Sequence, residues 1–211
     1  MHDPTATYEA IRPLLLPRLQ HPQGGPARPF STGPLEVGLV VEGEVDIPVT
    51  WADLEDWSVS FDDAYAAALD NLRDRSHTKR WQDVATVPGM QIYLPGGGDA
   101  AARALLLQEL LETPVEGVLF AVPTPDQLLA VPLRHLDHLE AVKVLVTAAH
   151  LATQGTHSAL TDQIFWLDGD EIVLVPVVHG DDTVDILAPP ELLAAVERLA
   201  AFAMVPQVAE A

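Results

Sequence analysis

Arg73, Arg75, Lys79 and Arg80 place four of the chain's eleven cations within eight residues. Cationic groups so closely spaced can grip a phosphate, a nucleotide or an acidic partner through charge-assisted hydrogen bonds. Downstream, Tyr93-Leu-Pro-Gly-Gly-Gly-Asp99 has the order strand, glycine turn, helix start, an arrangement whose outward backbone N–H groups often receive phosphate. With Gly97 and Gly98 the cluster forms the candidate ligand-binding site, and a small phosphorylated molecule is the ligand it would take. A second account stands beside it. The cations end a predicted helix, where positive charge complements the dipole, and the turn lacks both the Gly-Lys-Ser/Thr ending of a P-loop and the Gly-x-Gly-x-x-Gly spacing of a dinucleotide fold. Asp99 also puts a negative charge where an anion would sit.

His135 and His138 are the candidate metal pair, because three residues on a helix bring both imidazoles to one side, with Asp137 between them in sequence. No His-Glu-x-x-His or other complete ligand set accompanies them. Polar residues at a solvated helix start are the more common cause of such a pattern, and His150 and His157 would join them only if the helix end folded back. No metal and no cofactor is therefore assigned. The acid pairs Glu55/Asp56, Asp62/Asp63 and Asp181/Asp182 are sequence neighbours that point apart on a helix or strand, so none has the spacing of a catalytic dyad. Trp51 and Trp57 bracket Asp53, Glu55 and Asp56, and such aromatics either line a cleft or pack at a core rim. No serine lies in a Gly-x-Ser-x-Gly elbow. The absence of cysteine removes disulfides, thiolate metal sites and thiol catalysis. No catalytic residue is assigned, and a role without catalysis is the expectation.

The elements that must position these residues belong to a chain of 211 residues and 22.7 kDa, 48% hydrophobic, with mean hydropathy +0.17. Such a chain can bury a core, so wholesale disorder is excluded. Its 31 acidic residues leave a formal charge of −20 and a pI near 4.4. Affinity for nucleic acid or an anionic membrane needs a basic footprint, so neither partner is expected. No stretch approaches the roughly 18 apolar residues of a membrane span, and the first twenty residues do not read as a signal peptide. A cytoplasmic location follows as the expectation.

Periodicity predicts an α+β fold: a mixed sheet with helices packed largely on one face, a C-terminal three-strand meander and a terminal helix. A single domain spans 1–211, with a Pro/Gly-rich loop over 21–34 and a possible lobe boundary at 154–159. Residues 4–20 read as helical, with Pro13 and Pro17 shortening the pieces. Strands are predicted at 35–44 and 45–50, the latter at a sheet edge because of Pro48. Ser60 caps a helix through Phe61, Tyr65, Leu69 and Leu72. A short strand at 91–94, a helix from Asp99 to about Glu112, and the apolar strand Gly117–Val122, covered on both faces, follow. Gln127–Leu129 reads as a turn or short helix and 135–153 as a long helix. Gln163–Leu167 and Glu171–Val178 flank an Asp-Gly turn, Thr183–Leu187 returns, and Pro189-Pro190 opens the last helix.

Several phrases, in order, carry a resemblance: Leu54-x-x-Trp57-x-x-Ser60 leading into Ala68-Leu-Asp-Asn-Leu72; Ala104-Leu-Leu-Leu107; Val118-Leu-Phe-Ala-Val-Pro-Thr-Pro-Asp-Gln-Leu-Leu129; and Leu160-Thr-Asp-Gln-Ile-Phe-Trp166. In these the chain resembles a family of uncharacterised bacterial proteins, the YtpQ-like proteins. The resemblance covers about residues 35–175 and leaves the family's N-terminal region unmatched. It implies kinship of fold, and no site residue comes with it.

The expected function is an acidic accessory or protein-interaction domain without catalysis, contacting a protein partner or itself. The alternative is an enzyme or binder of a small phosphorylated ligand. At −20 the compact state repels itself, so screening stabilises it. The melting temperature should rise between low salt and about 0.15 M, where the Debye length is near 8 Å; a flat or falling midpoint would contradict this.

Overall fold

The structure, a computed structural model, describes residues 7–76, 80–93, 100–180 and 183–203. Helix α1 (Tyr8–Ile11) is a single turn, followed by a 3-10 turn at Arg12–Leu14. Strand β1 (Leu15–Gln20) then runs where a helix is predicted. Leu15, Leu16 and Leu19 are buried there, and Pro17 lies in an edge strand, where its missing N–H costs no ladder bond. Strand β2 (Ala27–Pro29) forms inside the Pro/Gly-rich segment. An extended Arg-Pro dipeptide suits a short edge strand, and it pairs with β3 (Glu36–Val41) from Ala27↔Gly38 to Pro29↔Glu36. β3 takes β1 on its other edge, and the short β4 (Ile47–Pro48) completes a four-stranded antiparallel sheet, with Pro48 at its margin as predicted.

Helix α2 (Trp51–Asp56) opens on a capping box. Asp53 N donates to Thr50 Oγ1 at 3.2 Å, and Thr50 N donates to Asp53 Oδ2 at 2.7 Å. Helix α3 (Phe61–Asp74) starts as predicted, Asp63 N donating to Ser60 Oγ at 3.1 Å. Its deepest face is Ala64, Ala67, Ala68 and Leu72, while Tyr65 and Leu69 are half-buried. Small side chains let the helix lie close on the sheet. Asn71 Nδ2 donates to Arg12 O at 2.7 Å and Leu15 O at 2.9 Å, pairing carbonyls where the 3-10 turn gives way to β1.

The remaining strands are β5 (Trp81–Asp83), β6 (Gln91–Tyr93), β7 (Val118–Ala121), β8 (Leu129–Pro132), β9 (Ile164–Asp168), β10 (Glu171–Val175), β11 (Val177–His179) and β12 (Val184–Ile186). Six form an antiparallel sheet in the order β10-β9-β7-β8-β6-β5. The turn predicted at 127–129 is thus the entry to β8, whose four residues are all buried. The helix expected over 99–112 is a 3-10 segment, Ala101–Leu106, and one turn of α4 (Leu107–Leu110). Ala101, Ala102, Arg103, Ala104, Leu106 and Leu107 are all buried, leaving no solvated stripe for a longer amphipathic helix. Helices α5 (His138–Thr153) and α6 (Pro190–Ala203) complete the described elements.

Both faces of the large sheet are covered. Phe120, Val118, Phe165, Leu167 and Tyr93 meet Leu16, Leu19, Phe30, Val37 and Val40 of the N-terminal layer. Leu119, Ala121, Val131, Ile164 and Trp166 meet Leu145 and Ala149 of α5 and Leu192, Ala195 and Leu199 of α6. The fold is α+β, and strands β9–β12 precede the terminal helix as predicted. Pro176 interrupts the expected long strand after β10, so β11 and β12 pair with each other as a separate two-stranded ribbon. Gly117, at φ +81°, is the entry to β7: a Cβ there would sit 2.3 Å from Leu167 O and 2.5 Å from Trp166 Nε1. Beside it, Arg198 of α6 clasps the buried Glu116 carboxylate at 2.6–3.1 Å, and Trp166 Nε1 donates to Glu116 O at 3.1 Å. No helix among the described residues is long and apolar enough to cross a membrane.

Phe120, Val122, Ile164 and Phe165 are fully enclosed and Leu72 nearly so, while Val173 is partly buried. Phe30, Phe120 and Phe165 lie within 5.1–6.3 Å of one another, centroid to centroid. Replacing Phe120 by Ala should therefore cost about 3–5 kcal/mol in a denaturant titration; a loss below about 1 kcal/mol would contradict its place between the two sheets.

Candidate metal centre

The basic cluster does not stand free. Arg73 donates to Asp70 Oδ1 at 2.6 Å and to both Glu109 oxygens at 2.6 and 2.9 Å. The Arg73 hydrogen bond holds the Glu109 carboxyl below its usual range, over an opposing effect of partial burial. Arg75 donates to Glu42 Oε2 at 2.6 Å and to Pro13 O at 3.2 Å. Arg80 immediately precedes β5. Lys79, Gly97 and Gly98 lie outside the described residues.

His135 and His138 do approach, with ring centroids 5.4 Å apart and edge to face. The pair begins in a turn, α5 itself starting at His138. His138 Nδ1 lies 2.7 Å from Pro132 O, so that nitrogen carries a proton and donates. The ring packs so closely on Gly89 that a Cβ there would lie 2.6 Å from His138 Cδ2. These contacts tie α5 to the end of β8, a structural use of the imidazole.

Another trio brings donors together. His150 stands on the last turns of α5; the chain reverses through Gln154 and Gly155, at φ +70°, and returns with Leu160 N donating to Pro123 O at 2.8 Å. That return sets Asp162 just before β9. His179 is the last residue of β11. His150 Nδ1 is 3.2 Å and His179 Nε2 3.3 Å from Asp162 Oδ2, and the imidazoles stack with centroids 4.0 Å apart and planes at 28°. The donor atoms of all three residues fall within 4.8 Å of one another, the single such group among the described residues.

The surrounding hydrogen bonds orient the trio. Gln154 Nε2 lies 3.2 Å from His150 Nε2, which leaves the Nδ1 proton for Asp162. Gln163 Nε2 donates to Asp162 Oδ1 at 3.0 Å, turning Oδ2 toward the imidazoles. His179 Nε2 is buried and has no hydrogen bond, despite its approach to Oδ2. Partial burial raises the Asp162 carboxyl's pKa, but the hydrogen bonds from Gln163 and His150, the charge of His179 and a backbone hydrogen bond outweigh it and hold the carboxyl below its ordinary value. Two imidazoles and a ready carboxylate are a donor set for a divalent transition-metal ion of the zinc class. Three protein ligands leave at least one position to solvent, and the side chains are 23–35% exposed, so an ion has a way in.

Sequence reading missed this trio because its members lie 12 and 17 residues apart on three elements. No short motif spans them. In the sequence His150 offers itself only as an extra ligand for His135 and His138, and His157, the other, is exposed. Comparison with known proteins adds no relative: no family model matches the chain, and neither a curated protein nor a solved structure does.

Proposed function

We propose that this chain is a metal-binding accessory domain that holds one divalent ion of the zinc class between His150, Asp162 and His179. What supports the reading above all is the convergence of those donors around a buried His179 Nε2 that has no hydrogen bond. A buried polar nitrogen without a hydrogen bond is costly in a folded protein, and a coordinated ion removes the cost. The ion would displace the His150 Nδ1 proton, and rotation of the Gln154 amide would let His150 Nε2 donate instead. The excess of acidic residues favours the same ligand class, since a negative field concentrates cations near the surface.

The alternative, a phosphorylated ligand at the basic cluster, would have to displace Asp70 and Glu109 from Arg73 and Glu42 from Arg75. The geometry there favours ion pairs between elements over anion capture.

Titrating the metal-free chain with Zn²⁺ in a calorimeter should give one site and release of protons, with affinity falling as pH drops, because protons compete with the ion for the imidazole nitrogens. His179→Ala and Asp162→Asn should each remove that site and the accompanying rise in melting temperature. Equal binding by His179→Ala and the parent chain would overturn the reading.

A further inference from the structure

Resting on the metal reading, we propose that Gln163 is the positioning residue of the centre: one amide sets both the carboxylate ligand and the strand that carries the second imidazole. Gln163 Nε2 donates to Asp162 Oδ1 at 3.0 Å and to Val177 O at 3.2 Å, while Gln163 Oε1 accepts from Val177 N at 2.7 Å. Val177 begins β11 and is buried; His179, two residues on, shares its side of the ribbon, because alternate strand residues point the same way. The amide therefore fixes Oδ2 of Asp162 by holding Oδ1, and fixes the origin of the strand from which His179 reaches in.

Few other contacts do this work. β11 pairs with β12 and not with the large sheet. Its described links to the body near Val177 are the Gln163 amide and the packing of Val177 and Ile186 on the α5/α6 side of the core. Loss of a hydrogen bond that orients a ligand typically costs a metal site roughly 10- to 100-fold in affinity. Gln163 sits beside Asp162 in sequence, so the carboxylate and its orienting group arrive on the same turn of chain.

The test uses the full chain with Zn²⁺ for affinity, read by competition with a chromogenic chelator, and Co²⁺ for geometry, read in its visible absorption bands. Gln163→Met keeps the length and removes both donor and acceptor. Gln163→Glu keeps the acceptor for Val177 N but cannot donate to Asp162 while ionised. Both variants should bind Zn²⁺ roughly 10- to 100-fold more weakly and shift the Co²⁺ bands. Ile186→Ala loosens the same ribbon without touching Asp162, and should lower the metal-free melting temperature while keeping the parent affinity and Co²⁺ spectrum. If Gln163→Met folds poorly, Gln163→Glu decides. Parent-like affinity and bands in the Gln163 variants overturn the positioning role and leave the metal centre standing. Equal weakening in Ile186→Ala also overturns it, because ribbon stability alone would then account for the loss. Absence of Zn²⁺ binding by the parent chain overturns the centre and the role together.

Discussion

Val118–Ala121 is buried at every position, so β7 turns apolar side chains to both sides and demands a cover on each. That constraint sets the layering. The N-terminal four-stranded sheet and α3 close one face, and α5 and α6 close the other. Burying both faces of a central strand is worth roughly 1.5–3 kcal/mol for each large apolar side chain enclosed, which makes this strand the axis on which the smaller elements are hung. Gly117 and the Glu116–Arg198 clasp tighten the same axis at its start.

The register of that strand also places the proposed metal centre. Ala121 pairs with Ile164, so the residues preceding β9 emerge beside the far end of β7, where Pro123 O receives Leu160 N. Asp162 and Gln163 are held at this corner. α5 packs across the face of the sheet and ends at the same corner with His150, while the Pro176 break frees β11 to fold over it with His179. None of the three donors belongs to the apolar pattern, yet each stands at the end of an element that the pattern fixes.

Much of the fold was legible because the signals are local. The Ser60 cap, the apolar run of β7, the Asp-Gly turn and the Pro-Pro helix start each act over a few residues, and each forms as read. Residues 15–20 misled because Leu15, Leu16 and Leu19 fit either period, and pairing with β3 decided in favour of a strand. β5 was missed because Trp81 follows directly on the basic cluster, and β8 because it follows two prolines. In the site, the His135/His138 spacing gave proximity without availability, since His138 is spent on Pro132 O and Gly89. The candidate trio is a product of tertiary contacts, to which sequence spacing is blind. The cations behave alike: Arg18, Arg73, Arg75, Arg134, Lys143 and Arg198 all meet carboxylates. Small in number within an acidic chain, all but Lys143, whose partner Glu140 lies on its own helix, join separate elements.

The shell around the ion is read directly by X-ray absorption at the zinc edge of the protein loaded with one equivalent of Zn²⁺. The expected first shell has two imidazole nitrogens and carboxylate or solvent oxygen at about 2.0–2.2 Å, and the His179→Ala chain should lose one imidazole's multiple-scattering signal. A shell of oxygens alone, or one unchanged by that substitution, would place the ion on the acidic surface and contradict the centre described here.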